Sequence, residues 1–213
     1  MNELALFAGA GGGVLASHSE TECLTRSQNQ RPSRMAKNKQ SAIIRREWAM
    51  PSRHTFDIKP ISELLDYHLD GLGVVVDPFC GKSTRATHRN DISHAEGQLA
   101  TKFLDQLIKQ CVLADAVLLD PPYSPRQISE CYKGAGIEVS ATDTQNARLY
   151  AECIRRLDRL LKPGGIAIRC GWNSVGFGKA RGYQAIETLL VCHGGAHNDT
   201  IVTVEQKLSK GIA

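Results

Sequence analysis

The sequence predicts an α/β fold on a mostly parallel sheet that ends in an antiparallel hairpin. Two apolar runs, GVVVDPF (73–79) and AVLLDPPYSPR (116–126), stop abruptly at an acid followed by proline. Runs that are apolar throughout, without alternation, are buried on both faces, as strands of a parallel sheet are. Helical stripes lie before and between them, and the chain closes on ETLLVCH (187–193) and TIVTVEQK (200–207), joined by GGAHND and close enough to pair back on each other.

The elements follow in order. Pro60 can occupy a first helical turn, and Ile61, Leu64, Leu65, His68 and Leu69 share one face, so a short helix is expected to end near Gly71. The first strand runs to Asp77. Leu99, Phe103 and Leu107 predict a second helix before the strand that ends at Leu119. Thr142 with Gln145 can form a capping box, and Ala147, Tyr150, Ile154, Leu157 and Leu161 make an apolar stripe that KPGG (162–165) terminates. IAIRC (166–170) reads as a strand and GYQAIE (182–187) as a short helix ahead of the final hairpin.

With 213 residues the chain is long enough for one α/β domain with appendages. Its seven cysteines are scattered without a CxxC pair, which argues against a disulfide framework or a zinc knuckle and fits a reducing, cytoplasmic setting. Cys192, His193 and His197 are too few to be read as a metal site, and no metal is expected. No apolar run approaches the roughly 20 residues that cross a bilayer, so no membrane partner is expected. The net charge of +4 is unevenly placed: residues 24–53 carry +7, residues 1–23 carry −3, and the remainder balances. The basic segment 24–53 reads as flexible and able to lie along a phosphate backbone, or as a solvated linker.

Two motifs carry a resemblance. VVVDPFCGKST (74–84) resembles the cofactor motif, and LLDPPYS (118–124) the catalytic motif, of S-adenosylmethionine-dependent DNA adenine methyltransferases of the DPPY type. The likeness runs from about Thr55 to Lys207, and the REWAMP, DPPYSPRQ, GWNS and HGGAHNDTIVTVE stretches are similar to those of small members carried by phages and prophages. It implies a Rossmann-like methyltransferase fold for residues 54–213, S-adenosylmethionine as cofactor and DNA as partner. Cofactor contacts are implied for Phe56, Asp77, Pro78, Phe79 and Gly81, with Asp91 on the ribose. Only nine residues separate Gly81 from Asp91, whereas a crossover with its helix needs about 10–12 or more. The helix after the first strand is therefore expected to be short or missing.

The chemistry explains the residue types. An exocyclic adenine amine is a poor nucleophile because its lone pair is delocalised into the ring. By the resemblance, the Asp120 side chain and the Pro121 carbonyl accept the amine hydrogens and favour a more tetrahedral nitrogen. Pro121 and Pro122 fix the backbone that aims this carbonyl. Tyr123 is expected to stack on a base flipped out of its duplex. Trp172 and Asn173 of GWNS, and His197 and Asn198 of the hairpin turn, are further substrate-binding candidates. With the cofactor motif ahead of DPPY there is little room for a separate recognition domain, so specificity is expected to be short or lax.

ALFAGAGGG (5–13) instead resembles the opening motif of DNA cytosine-5 methyltransferases. That chemistry needs a cysteine nucleophile directly after a proline, and none of the cysteines follows one. Residues 1–23 are therefore read as a non-functional fragment. Two other readings stay open: a catalytically inactive nucleic-acid-binding or decoy protein that keeps the fold, and an enzyme acting on RNA, on the cytosine amine or on a protein glutamine. The leading Asp120 favours base amines over glutamine.

Overall fold

The computed structural model describes residues 41–138, 145–195 and 197–209. The fragment 1–23, residues 24–40 of the basic segment and Thr142 of the expected capping box lie outside the described residues. A seven-stranded sheet has the order β1-β6-β7-β5-β4-β2-β3. Its strands are β1 (Ile43–Trp48), β2 (Val75–Asp77), β3 (His88–Arg89), β4 (Ala114–Leu119), β5 (Leu161–Gly171), β6 (Tyr183–Cys192) and β7 (Thr200–Lys207). All neighbours are parallel except β7, which lies antiparallel between β5 and β6. This is the α/β fold expected from the sequence, a mostly parallel sheet that ends in an antiparallel hairpin. The pairing sense puts the carboxyl ends of β1 to β6 and the amino end of β7 on one edge of the sheet.

Alternation along the strands feeds two cores. Val76, Val117, Leu119 and Ala167 face helices α2 (Ala100–Lys109) and α4 (Asn146–Leu160). Val75, Ala116, Leu118, Ile168, Leu189 and Val202 face α1 (Lys59–Leu69) and the short 3-10 turn Thr55–Asp57 that precedes it. The remaining helix, α3 (Pro125–Gly134), follows DPPY directly. Pro60 lies in the first turn of α1, and α1 buries Ile61, Leu64 and Leu65 as its spacing predicts.

Three expectations are corrected. The basic segment 24–53, read as flexible, contains strand β1, paired with β6 from Ile43↔Glu187 to Trp48↔Cys192. Its anchor is long-range and so invisible locally: the buried Glu187 carboxylate accepts from Arg45 Nε at 2.5 Å and lies 2.9 Å from His68 Nε2 of α1. Of residues 182–187, read as a helix, Tyr183 to Glu187 open strand β6, because antiparallel pairing with β7 overrides a short apolar pattern. KPGG does not merely stop α4. It forms the irregular start of β5, where the register with β4 shifts between Ala114 and Ala116. Between β2 and β3 the described chain contains no helix, as the nine-residue spacing anticipated.

Candidate active site

Both Asp-Pro motifs end at the same sheet edge, because β2 and β4 are parallel neighbours. A cleft of about 910 Å³ opens between them, within the range of small-molecule sites. Phe56, Pro78, Phe79, Gly81, Asp91, Asp120, Pro121, Pro122 and Tyr123 all line it. Asp77 is fully buried at the end of β2.

The β2 side closes on itself. Asp77 Oδ1 accepts the Phe79 amide at 3.0 Å, which folds the chain back after the strand. Gly81 takes a positive φ of 52°, which lets the loop turn without a Cβ penalty. Its amide donates to Asp91 Oδ2 at 3.0 Å, while Asp91 Oδ1 accepts the Ser93 amide and hydroxyl at 2.9 and 2.6 Å. The Asp91 carboxylate is thus engaged with the loop. Buried Asn90 donates to the carbonyls of Pro78 (3.1 Å) and Gln98 (2.9 Å). Asp77 Oδ2, by contrast, is buried and has no hydrogen-bond partner among the described residues. Burial, with the Asp120 and Asp91 charges adding to it, pushes the Asp77 carboxyl up to about 7.

The β4 side stays open. Asp120 Oδ1 accepts the Tyr123 hydroxyl, and Thr55 lines the cleft with them. Burial raises Asp120 to about 6, opposed by the Tyr123 bond and by Thr55. Burial, then the Asp120 charge, raises the Tyr123 phenol well above its ordinary value, so it remains a donor. Ser124 caps α3 by accepting the Gln127 amide at 3.3 Å, with Pro125 in the first turn. Gln127 Oε1 reaches back to the amides of Tyr123 (2.7 Å) and Ser124 (3.1 Å).

The other candidates share the edge without lining the cleft. Trp172 meets the Tyr123 ring edge-on at 5.6 Å between centroids and is part-exposed. Asn173 Oδ1 is held by Arg169 Nη1 at 3.0 Å and the Val175 amide at 3.1 Å. His197 and Asn198 lie exposed in the β6–β7 turn. Sequence reasoning missed Thr55, Gln127 and Arg169. Ser124-Pro125-Arg126-Gln127 is a readable capping box with proline at the first helical position. Arg169 was a charge inside an apolar strand; it is buried, with its guanidinium 4.7 Å above the Tyr150 ring. Thr55 left no local signal.

No protein-family model and no curated protein matches the chain. Among solved structures, it is similar to TrmN from Thermus thermophilus, with TM-score 0.45 and 20% identity over 71% of this chain and 49% of that one. A protein described as an S-adenosylmethionine-dependent methyltransferase from Streptococcus mutans gives TM-score 0.38 and 15% identity over 68% of this chain and 47% of that one. The chain therefore spans about half the length of each.

Proposed function

We propose that the chain transfers a methyl group from S-adenosylmethionine to the exocyclic amine of adenine in DNA. The observation that carries this reading is the convergence of the Asp77 loop and the DPPY motif on one cleft, with Asp120 and Tyr123 hydrogen-bonded at its wall. The residues fit the cofactor in one specific respect. A buried carboxylate oxygen without a donor, Asp77 Oδ2, suits a cationic ligand carrying amine hydrogens. When bound, that cofactor supplies an electrophilic methyl group on sulfur. Phe56, Phe79 and Gly81, which line the cleft, would hold it against the loop.

On the acceptor side, Asp120 keeps lone pairs beyond the one that takes the Tyr123 hydroxyl, and these can accept an amine hydrogen. The Pro121 carbonyl takes the second, so the nitrogen lone pair is turned toward the attacking direction. Once the methyl carbon is attached the nitrogen must shed a proton. Asp120, raised to about 6, is a suitable acceptor at neutral pH. Tyr123, with Trp172 packed edge-on against it, offers a ring on which a flipped base would stack.

The test is to incubate the protein with methyl-labelled S-adenosylmethionine and unmethylated DNA, in parallel with RNA, and digest to nucleosides. Label in N6-methyladenine from DNA is expected. Label confined to RNA or to N4-methylcytosine would change the acceptor, and no label from folded protein would overturn the reading. One observation favours a second reading, a non-catalytic nucleic-acid-binding protein: the Gly81–Asp91 bond engages the carboxylate proposed for the ribose. Calorimetry separates the two, since an enzyme should bind the cofactor with micromolar affinity, about −8 kcal/mol.

A further inference from the structure

Strand β1 ends on the same edge as the candidate site, at the other side of the sheet. Trp48 is its last residue, and 66% of its surface is exposed. That exposure is unusual for the largest apolar side chain, and the backbone beside it is tied to the β6–β7 turn. The ring nitrogen lies against the β6–β7 turn, where a Cβ on Gly194 would stand 3.6 Å away. Gly194 and Gly195 both take positive φ, 67° and 59°, which brings that turn close. Buried His193 ties the turn to the end of β1: its Nδ1 lies 2.9 Å from the Ala49 carbonyl and its Nε2 2.9 Å from Thr200 Oγ1. A backbone fixed beside the indole lowers the ordering cost of binding there.

The neighbouring charge identifies what would lie on it. Ile44, Arg46 and Trp48 share one face of β1. Arg46 Nε donates to Cys192 Sγ at 3.2 Å, and among the described residues no carboxylate comes within ion-pair distance of Arg46 or Arg53. A basic group beside an exposed indole, continuous with a turn carrying His197 and Asn198, complements an anionic strand with π-faced bases.

We infer that Trp48 and Arg46 form a second nucleic-acid contact, in which the indole stacks on a base flanking the target and the guanidinium meets a phosphate. The inference rests on the nucleic-acid part of the proposed function. β4 stands four places from β1 in the sheet, and the register sets Trp48 three residues beyond the level of Asp120, so the two lie about 22 Å apart at the usual strand spacing and rise. That distance corresponds to about six or seven stacked nucleotides at 3.4 Å each. The contact therefore anchors flanking strand and does not read the target base.

The experiment measures binding of single-stranded oligodeoxynucleotides to wild type, Trp48→Ala, Trp48→Phe and Arg46→Gln, with methyl transfer assayed in parallel. With an oligonucleotide of about 17 nucleotides centred on adenine, Trp48→Ala is expected to weaken binding roughly 5- to 150-fold. Trp48→Phe should restore most of it, and Arg46→Gln should lower the salt slope by about one. With about five nucleotides, too short to span the distance, wild type and Trp48→Ala should bind alike. Equal affinity for the long oligonucleotide would overturn the inference while leaving transfer by the wild type intact. A flank-dependent loss without any transfer would uphold it and sink the catalytic reading instead. No binding by the wild type, or dissociation of a dimer by Trp48→Ala in sedimentation, would show that the surface serves another occupant and overturn it.

Discussion

β2 and β4 end in nearly the same word, a buried aliphatic strand followed by Asp-Pro and an aromatic ring, yet the two ends are built to opposite purposes. After β2, Asp77 Oδ1, Asn90 and Asp91 bond the loop that follows, and the chain reaches β3 without a helix. After β4, Ser124 and Gln127 satisfy the backbone and start a helix, which leaves Asp120 and Tyr123 facing the cleft. The local motif sets the turn; the residues beyond it decide whether its acid closes a loop or opens a site.

The sharpest way to break this contrast is to remove each acid. Asp120→Ala is expected to lower methyl transfer at least about 100-fold, the scale of losing a preorganised hydrogen-bonding group at the reacting atom, while cofactor binding by calorimetry is retained. Near wild-type transfer would show that DPPY is not where the amine is held. Asp77 acts on stability as well. Its folded pKa of about 7 lies above its ordinary value, so the folded protein holds a proton that the unfolded chain has already lost. Stability should therefore fall as pH rises from about 4 to about 7, by on the order of 2–4 kcal/mol from this group. Asp120, raised to about 6, contributes in the same direction. Urea denaturation at intervals across that window should show a shallower fall for Asp77→Asn than for wild type. An unchanged slope would mean that the acid is not buried as described.

The same contrast explains what was legible in the sequence. Elements whose cause is local were readable: the two strands ending in Asp-Pro, α1 from its apolar spacing, the final hairpin, and the absence of a helix where too few residues separate Gly81 from Asp91. Elements whose cause is distant were not. Strand β1 exists because Ile43 to Trp48 find β6 more than a hundred residues later and Arg45 meets Glu187 there. In isolation those residues look like part of a basic tail. The candidate site divides in the same way: its backbone motifs were visible, whereas Thr55 joins DPPY in lining the cleft only because the turn before α1 packs Phe56 and Ile58 against the sheet.

Asn90 tests the closed side further. Its side chain donates to Pro78 and Gln98 and accepts the Gln98 amide at 3.1 Å. Asn90→Ala leaves these groups unpaired in a buried place, which should cost about 2–3 kcal/mol in chemical denaturation. Because the loop from Pro78 to Gly81 loses its tie, cofactor affinity should fall with it. Stability lost without any change in affinity would mean that the loop and the cofactor site are independent.

The smallest effects come from the open side, and they distinguish capping from positioning. Ser124→Ala removes the cap on α3 and should cost about 1 kcal/mol, with little change in transfer. Gln127→Ala should be similar in stability but different in activity, because Gln127 Oε1 holds the Tyr123 amide as well as that of Ser124. Releasing Tyr123 from that bond loosens the ring proposed to face the base, so transfer should drop several-fold, seen in kcat more than in cofactor affinity. If Ser124→Ala lowered kcat as much as Gln127→Ala, the helix start itself would be what sets Tyr123, and the two strand ends would differ only in the presence of a helix.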